Sequence, residues 1–252
     1  MSGHSKWAGI KHKKAIVDAK RGQIFTKVAR ELTVSASLGG ADPEGNFRLR
    51  LAIQKAKDVN MPTDNIERAI NRGAGGKEGS KLEEVRYEGY GPHGVAIMVD
   101  TLTDNRNRTV AAIRNLFNRA GGSLGETNSV AWLFTQQGVI RVAVDGKDPE
   151  EAALEILETV DVGEEGDVSV QEGEIDVVVA PNRIWEARRQ LEEAGWTVES
   201  ADVAMTPSTS VTLDAKQGAG VVRLLEALEE HDDVQRVYAN AEIPDDVLQS
   251  VG

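Results

Sequence analysis

Apolar residues recur with a helical period through the first 75 positions and predict three helices. The helices are expected at residues 24–38, 42–60 and 64–73. The first is expected to stop at Gly39-Gly40, and the second to start at Asp42-Pro43. Asp64 and Glu67 have the spacing of a capping box, and Gly73 is expected to end the third helix. This part of the chain is therefore predicted to be all helical.

After residue 80 the apolar period changes, and short strands alternate with helices. Strands are expected at 95–99, 131–134, 139–144, 168–170, 175–179, 198–203, 211–213 and 234–238, and helices at 110–120, 153–160, 184–194 and 221–228. GAGGKEGS, residues 73–80, has the composition of a flexible linker. Residues 138–206 spell strand-helix-strand-strand-helix-strand, which is a complete ferredoxin-like unit. The flanking pieces, 94–136 and 207–240, spell the same unit when they are joined.

The predicted fold class is α+β. A small all-helical N-terminal domain is followed by two ferredoxin-like α/β-sandwich domains, the second inserted in the first. The domains are expected at residues 1–79, at 80–137 together with 207–252, and at 138–206. Tyr87–Tyr90 is expected to be an extra edge strand.

The segment before the first helix, residues 5–21, has no clear apolar face. Trp7, Ile10 and Val17 can share one side of a helix, but lysines surround them. We expect this segment to order only on a partner.

Composition excludes several functional classes. The 252 residues contain no cysteine, so disulfides, thiolate zinc sites and cysteine nucleophiles are ruled out. No apolar run approaches the roughly 18 residues of a membrane span, and none follows the basic start as in a signal peptide. We expect a cytoplasmic protein with no membrane partner.

Charge is distributed unevenly along the chain. The net charge is -12, but residues 1–80 carry 15 basic and 8 acidic side chains, whereas residues 81–252 carry 14 and 33. The predicted inserted domain, 138–206, carries 5 and 18. This asymmetry is typical of an anion-binding arm on an acidic body, and a solvated tail attracted to its own acidic domains is the alternative. The inserted domain is either merely solvated or faces a basic protein.

The inventory of catalytic residues is small. Of the four histidines, His93 lies in a predicted turn and His231 at the end of a predicted helix, and none has a ligand or triad partner at a diagnostic spacing. We therefore expect no enzymatic activity, no metal, no cofactor and no small-molecule substrate.

The basic arm and one loop supply the candidate nucleic-acid-binding residues. These are Lys6, Trp7, Lys11, His12, Lys13, Lys14, Lys20, Arg21, Lys27, Arg106 and Arg108. Lysines neutralise phosphates and the indole of Trp7 can stack on a base, although docking onto the helical domain is an equal alternative for Trp7. Arg106 and Arg108 lie in TDNRNRT, where a phosphate contact and an internal salt bridge are equally compatible. A helix-turn-helix that uses Asn65, Arg68 and Arg72 is a weaker option.

Several long blocks of the sequence resemble the YebC family. The blocks are GHSKW, KHKKA, DAKRGQIFTK, NMPTDNIERAI, YEGYGPHGVAIMVDTLTDNRNRT, LGETNSVAW and VQRVYANAEIP. They occur in order from residue 2 to about residue 244, and the early start favours a bacterial, cytoplasmic member. Gly9, Ile16-Val17 and His93 depart from the commoner residues, and none of these departures removes a cation.

The resemblance implies a function in gene expression. The family includes the mitochondrial translational activator of cytochrome oxidase subunit one. The resemblance implies three domains, the first helical and the others ferredoxin-like. Members are labelled probable transcriptional regulators that bind DNA, and the family has no established catalytic residues. Some members resemble translation factors that bind ribosomal RNA and relieve stalling at consecutive prolines. A protein-interaction module without nucleic acid is a third interpretation.

Overall fold

The structure is a computed structural model that describes residues 18–75, 82–164, 166–171, 174–244 and 247. Its helices are α1 (Asp18–Gly39), α2 (Phe47–Asp58), α3 (Thr63–Ala74), α4 (Arg106–Arg119), α5 (Pro149–Thr159), α6 (Ile184–Glu193) and α7 (Ala215–Glu229). Its strands are β1 (Glu83–Tyr90), β2 (Ala96–Thr103), β3 (Ser123–Leu124), β4 (Phe134–Ala143), β5 (Asp167–Gln171), β6 (Glu174–Val179), β7 (Val198–Pro207), β8 (Val211–Thr212), β9 (Val234–Ala239) and β10 (Ala241–Glu242). No helix in the described ranges is long and apolar enough to cross a membrane.

Helices α1, α2 and α3 pack around a shared apolar core. Val28, Leu32, Leu49, Ala52 and Ile66 are among its buried members. The predicted start of α2 is wrong by four residues: the side chain of Asn46 accepts from the Leu49 N–H and caps the helix, whereas Asp42 accepts from the Glu44 N–H in a turn.

The start and end of α3 also differ from the prediction. Pro62 is the residue that precedes the helix and no side-chain cap forms, so the expected capping box is absent. Gly73 lies inside the helix rather than at its end. A glycine is required there because α3 approaches α1 closely: a Cβ on Gly73 would lie 2.1 Å from the Thr33 carbonyl oxygen. Residues 76–80 of the predicted linker lie outside the described part of the chain.

A four-stranded antiparallel sheet follows, with the order β3-β1-β2-β9. Helices α4 and α7 contact each other and pack on β1 and β9 respectively. Ile97, Val99, Phe117, Val221 and Leu225 lie in the core between them. The expected edge position of Tyr87–Tyr90 is wrong, since β1 lies between β3 and β2.

The predicted strand at Ala131–Phe134 is also wrong, because Ala131–Leu133 forms a 3-10 helix. The buried side chain of Glu88 holds this loop. Its carboxylate accepts from the N–H groups of Asn128 (2.9 Å), Val130 (2.9 Å) and Ala131 (2.8 Å). These N–H groups are therefore not available to a sheet ladder.

Thr135–Met205 form a separate compact unit. Its sheet has the order β5-β6-β4-β7, which is the ferredoxin-like arrangement of strand-helix-strand-strand-helix-strand. Within the sheet, buried Arg141 faces buried Asp176 across β4 and β6, with Nε 2.9 Å from Oδ1. Burial and this carboxylate act on the Arg141 guanidinium in opposite directions, and its pKa is raised.

The predicted α+β class, with a helical N-terminal region and antiparallel sheets, is confirmed. The described residues up to Phe134 and from Thr206 form the other compact unit. The division of that unit into a helical domain and a sheet domain stays a prediction.

Candidate nucleic-acid interface

The candidate binding residues divide into three groups in the structure. Lys6, Trp7, Lys11, His12, Lys13 and Lys14 lie outside the described residues, as does the segment expected to order on a partner up to residue 17. Lys20 and Arg21 lie in α1, but their side chains are not among those described. Lys27, Arg106 and Arg108 have described side chains.

Arg108 contacts two acidic side chains of its own compact unit. Its Nη2 atom lies 2.9 Å from Oδ2 of Asp233 and 2.8 Å from Oδ1 of Asp104. Asn105 caps α4 by accepting from the Arg108 N–H. Of the two interpretations of TDNRNRT, the internal salt bridge describes Arg108.

Asp233 is a buried carboxylate that joins three elements. Its side chain is 3% exposed and also accepts from Thr109 Oγ1 of α4 (2.7 Å) and from Arg30 Nη1 of α1 (3.1 Å). Burial raises the pKa of Asp233, but the hydrogen bonds from Arg108 and Thr109 and the charge of Arg30 outweigh it, so the pKa lies below its usual range. Hydrogen bonding to Asp233 in turn raises the pKa of Arg108.

Lys27 lies where α1 meets the carboxyl end of α7. Its Nζ donates to the Glu229 carbonyl oxygen at 2.5 Å, Gln23 donates to the Glu230 carbonyl at 2.6 Å, and Arg30 donates to the Asp232 carbonyl. The last carbonyl groups of a helix have no N–H of a following turn to accept from, and cations are favourable at a helix C-terminus. Lys27 and Arg30 therefore attach α1 to α7.

Arg106 belongs to an exposed face of α4 that is rich in arginine and asparagine. Residues 105–125 contain four arginines and no acidic residue. The exposed polar side chains are Arg106, Asn107, Arg108, Arg114, Asn115, Asn118 and Arg119. This is the composition of a surface that contacts phosphates and base edges. Arg114 and Arg119 were not selected from the sequence, although the 21-residue interval without an acid is a signal that identifies them.

The alternative helix-turn-helix residues lie on α3. Arg68 hydrogen-bonds to Asn65 on the same helix, and Arg72 is exposed. His93 lies in a turn with φ of 63°, and His231 Nδ1 accepts from the Asp233 N–H. Within the described ranges, no three His, Asp or Glu side chains lie close enough together to hold a metal ion.

The sequence did not identify Arg30 and Asp233, two residues that position the exposed face of α4. Asp233 precedes a buried strand in an acidic run, HDD, and nothing in that run distinguishes it from its neighbours. Its partners lie 203 and 125 residues away along the chain, and sequence spacing gives no signal for them.

Two family models together match almost the whole chain. Residues 5–76 match the TACO1/YebC protein N-terminal domain, and residues 82–241 match the TACO1/YebC second and third domain.

Curated relatives are similar over their full length. A protein of Shewanella oneidensis is 53% identical over 252 residues, which is 100% of both chains, and one of Moorella thermoacetica is 51% identical over 100% of this chain and 99% of its own. Both are named probable transcriptional regulatory protein. The crystal structure of a conserved hypothetical protein from Aquifex aeolicus is 47% identical, has a TM-score of 0.86, and covers 95% of this chain and 97% of its own.

Proposed function

The chain belongs to the TACO1/YebC family, and from that premise we propose that it is a DNA-binding transcriptional regulator without catalytic activity. The observation that carries the proposal is the identity of about 50%, over the full chain, to proteins named probable transcriptional regulatory protein. The charge distribution supports it, since an acidic protein has its excess cations in residues 1–80.

We assign phosphate neutralisation first to the arm. The proposed residues are Lys6, Lys11, His12, Lys13, Lys14, Lys20 and Arg21, with Trp7 stacking on a base. Arg106 adds a cation on the body. Lys27 and Arg108 already have protein partners, so we propose that they position α1 and α4 and contribute to the local positive field.

A ribosome-associated factor that binds ribosomal RNA is the second candidate. It is favoured by the charge of the inserted segment, residues 138–206, where 18 acidic side chains oppose 5 basic ones. Such a surface repels a DNA backbone but suits a basic protein, and basic proteins surround ribosomal RNA.

The arm is tested by reversing two charges, in Lys13→Glu with Lys14→Glu. We expect weaker binding to a 20-base-pair DNA duplex, and a slope of log K against log salt that is shallower by about 2, since each phosphate contact contributes about 0.9. The matched control is Arg183→Glu with Arg189→Glu, which changes the net charge equally on the inserted segment. If both pairs weaken binding alike, the effect is one of net charge and the arm has no special role.

Cross-linking in cells, followed by sequencing of the bound nucleic acid, separates the two candidates. Enriched promoter DNA supports the transcriptional regulator. Enriched ribosomal RNA supports the second candidate, and recovery of neither contradicts both.

A further inference from the structure

Trp132 is the most exposed large apolar side chain in the described part of the chain. Its relative exposure is 72%, and Tyr90 is a second exposed aromatic side chain, with a relative exposure of 38%. An indole left in water forgoes the stabilisation that burial gives, so exposed aromatic residues that lie together indicate a binding surface.

The two rings are held by one backbone atom. Trp132 Nε1 donates to the Ser129 carbonyl oxygen at 3.2 Å, and the Tyr90 hydroxyl donates to the same oxygen at 3.3 Å. The polar edges of both rings are thereby satisfied beside each other. Hydrogen bonds at the ring edges leave the apolar faces available to a ligand.

The buried side chain of Glu88 orders the loop that carries Trp132. This side chain is only 3% exposed, and it accepts three backbone N–H groups of the loop, including that of Ala131, the neighbour of Trp132. A buried carboxylate with several N–H donors forms strong, charge-assisted hydrogen bonds. The backbone that carries the exposed ring is therefore held in place before any ligand arrives, which lowers the entropy cost of binding.

The stretch of chain that leads into this loop has an excess of positive charge. Residues 105–134 contain four arginines and one acidic residue. The carboxyl end of α4, which bears Arg119, leads into Gly122. A Cβ on Gly122 would lie 2.4 Å from the Tyr90 carbonyl oxygen, so this turn lies directly against Tyr90. Single-stranded nucleic acid binds to surfaces that combine positive charge with exposed aromatic faces.

We propose that Trp132 and Tyr90 form a stacking platform for an unpaired base of a single-stranded nucleic acid. Arg119, at the carboxyl end of α4, contacts a phosphate that flanks this base. This platform rests on the proposed function, because it assumes that the protein binds nucleic acid, and it adds a second contact point on the body at a distance in sequence from the basic arm.

The test measures binding of the full chain to two unstructured strands, a 20-nucleotide oligo-uridine and its oligo-thymidine equivalent, and to a 20-base-pair duplex. Trp132→Ala is expected to weaken binding to the single strands about 5- to 150-fold, and to leave the duplex unaffected. The salt slope should not change, because stacking releases no counterions. Equal loss on both strands assigns the platform to any single strand, and a larger loss on oligo-uridine assigns it to RNA.

Two variants serve as controls. Trp132→Phe keeps an aromatic face and should retain most of the affinity, whereas Leu154→Ala removes a similarly exposed apolar side chain, 64% exposed, and should change nothing. If the unmodified protein binds the strands and Trp132→Ala binds them equally well, the platform is refuted. If the unmodified protein binds neither strand nor duplex, the proposed function itself fails, and the platform with it.

Discussion

Replacing Asp233 by asparagine tests the network that joins α1, α4 and the start of β9. The substitution keeps the size of the side chain but removes the charge that Arg30 and Arg108 contact. It also leaves one acceptor oxygen where the carboxylate has two. We expect a clear loss of stability in the unit that contains these elements.

The size of the expected stability loss follows from the solvent exposure of Arg30 and Arg108. Removing one member of a fully buried ion pair costs about 3–5 kcal/mol. Asp233 is 3% exposed, but the side chains of Arg30 and Arg108 are 25% and 53% exposed, so both arginines regain water when the charge is lost. We therefore expect a loss of about 2–3 kcal/mol, which lowers a urea midpoint by about 1 M at a slope of about 2–3 kcal/mol/M.

The assay is urea unfolding followed by circular dichroism, with hydrogen exchange reporting separately on α1 and α4. Asp104→Asn is the matched control, because it removes the other carboxylate that contacts Arg108. Asp104 is 59% exposed, and an exposed pair contributes less than about 1 kcal/mol. Equal losses in the two variants would refute the role assigned to Asp233.

The effect of Asp233→Asn should also depend on pH. The pKa of Asp233 is lowered in the folded protein, so its stabilising contribution is present above the pKa of the unfolded chain, about 3.9, and is lost as pH falls through the lower folded value. The unmodified protein and the variant should therefore differ most at neutral pH and converge well below pH 4. A difference that grows on acidification would contradict the network.

Two further predictions concern close contacts in the fold. Gly73→Ala should destabilise the helical region by about 1–3 kcal/mol, since its Cβ would overlap the Thr33 carbonyl. Gly22→Ala in α1 has open space around its Cβ and should stabilise the protein by up to about 1 kcal/mol. Thermal melts of the two variants should show shifts of opposite sign. Glu88→Gln should lower stability by about 1–3 kcal/mol and speed amide exchange at Asn128, Val130 and Ala131, because one amide oxygen replaces a carboxylate. Glu84→Gln, at an exposed glutamate, is the control. Unchanged exchange at the three amides, or an equal effect from the control, would contradict the role of Glu88 in ordering the loop.

The helices and most strands could be predicted from the sequence, because their signals are local. The apolar period of α4 and the alternation in residues 138–206 depend only on neighbours within a few positions. The loop at Ala131–Leu133 could not be predicted in this way: its short apolar run resembles a buried strand, but Glu88 binds its backbone from about 40 positions away. The start of α2 was missed because two competing Asx residues, Asp42 and Asn46, lie close together, and the structure uses the second as the cap.

The candidate site was predictable only where composition alone identifies it. The basic arm and the arginines of TDNRNRT stand out against an acidic chain. Whether a given arginine faces solvent or a carboxylate depends on tertiary contacts, and for Arg108 the deciding partner, Asp233, is 125 residues away. The arm and the inserted domain's partner stay predictions.

The joint between Leu133 and Ser208 has a consequence for how the chain folds. The N–H and hydroxyl of Ser208 both donate to the Leu133 carbonyl oxygen, at 2.8 and 3.0 Å, across an interval of 75 residues. Closing a flexible loop of this length costs roughly 4 kcal/mol in chain entropy. β4 and β7 are neighbours within Thr135–Met205, and Ala143 donates to Thr197 where one ends and the other begins. Once that unit has folded, its two ends emerge together and the loop is already closed. Folding of the inserted segment therefore lowers the entropic barrier for the segment that surrounds it.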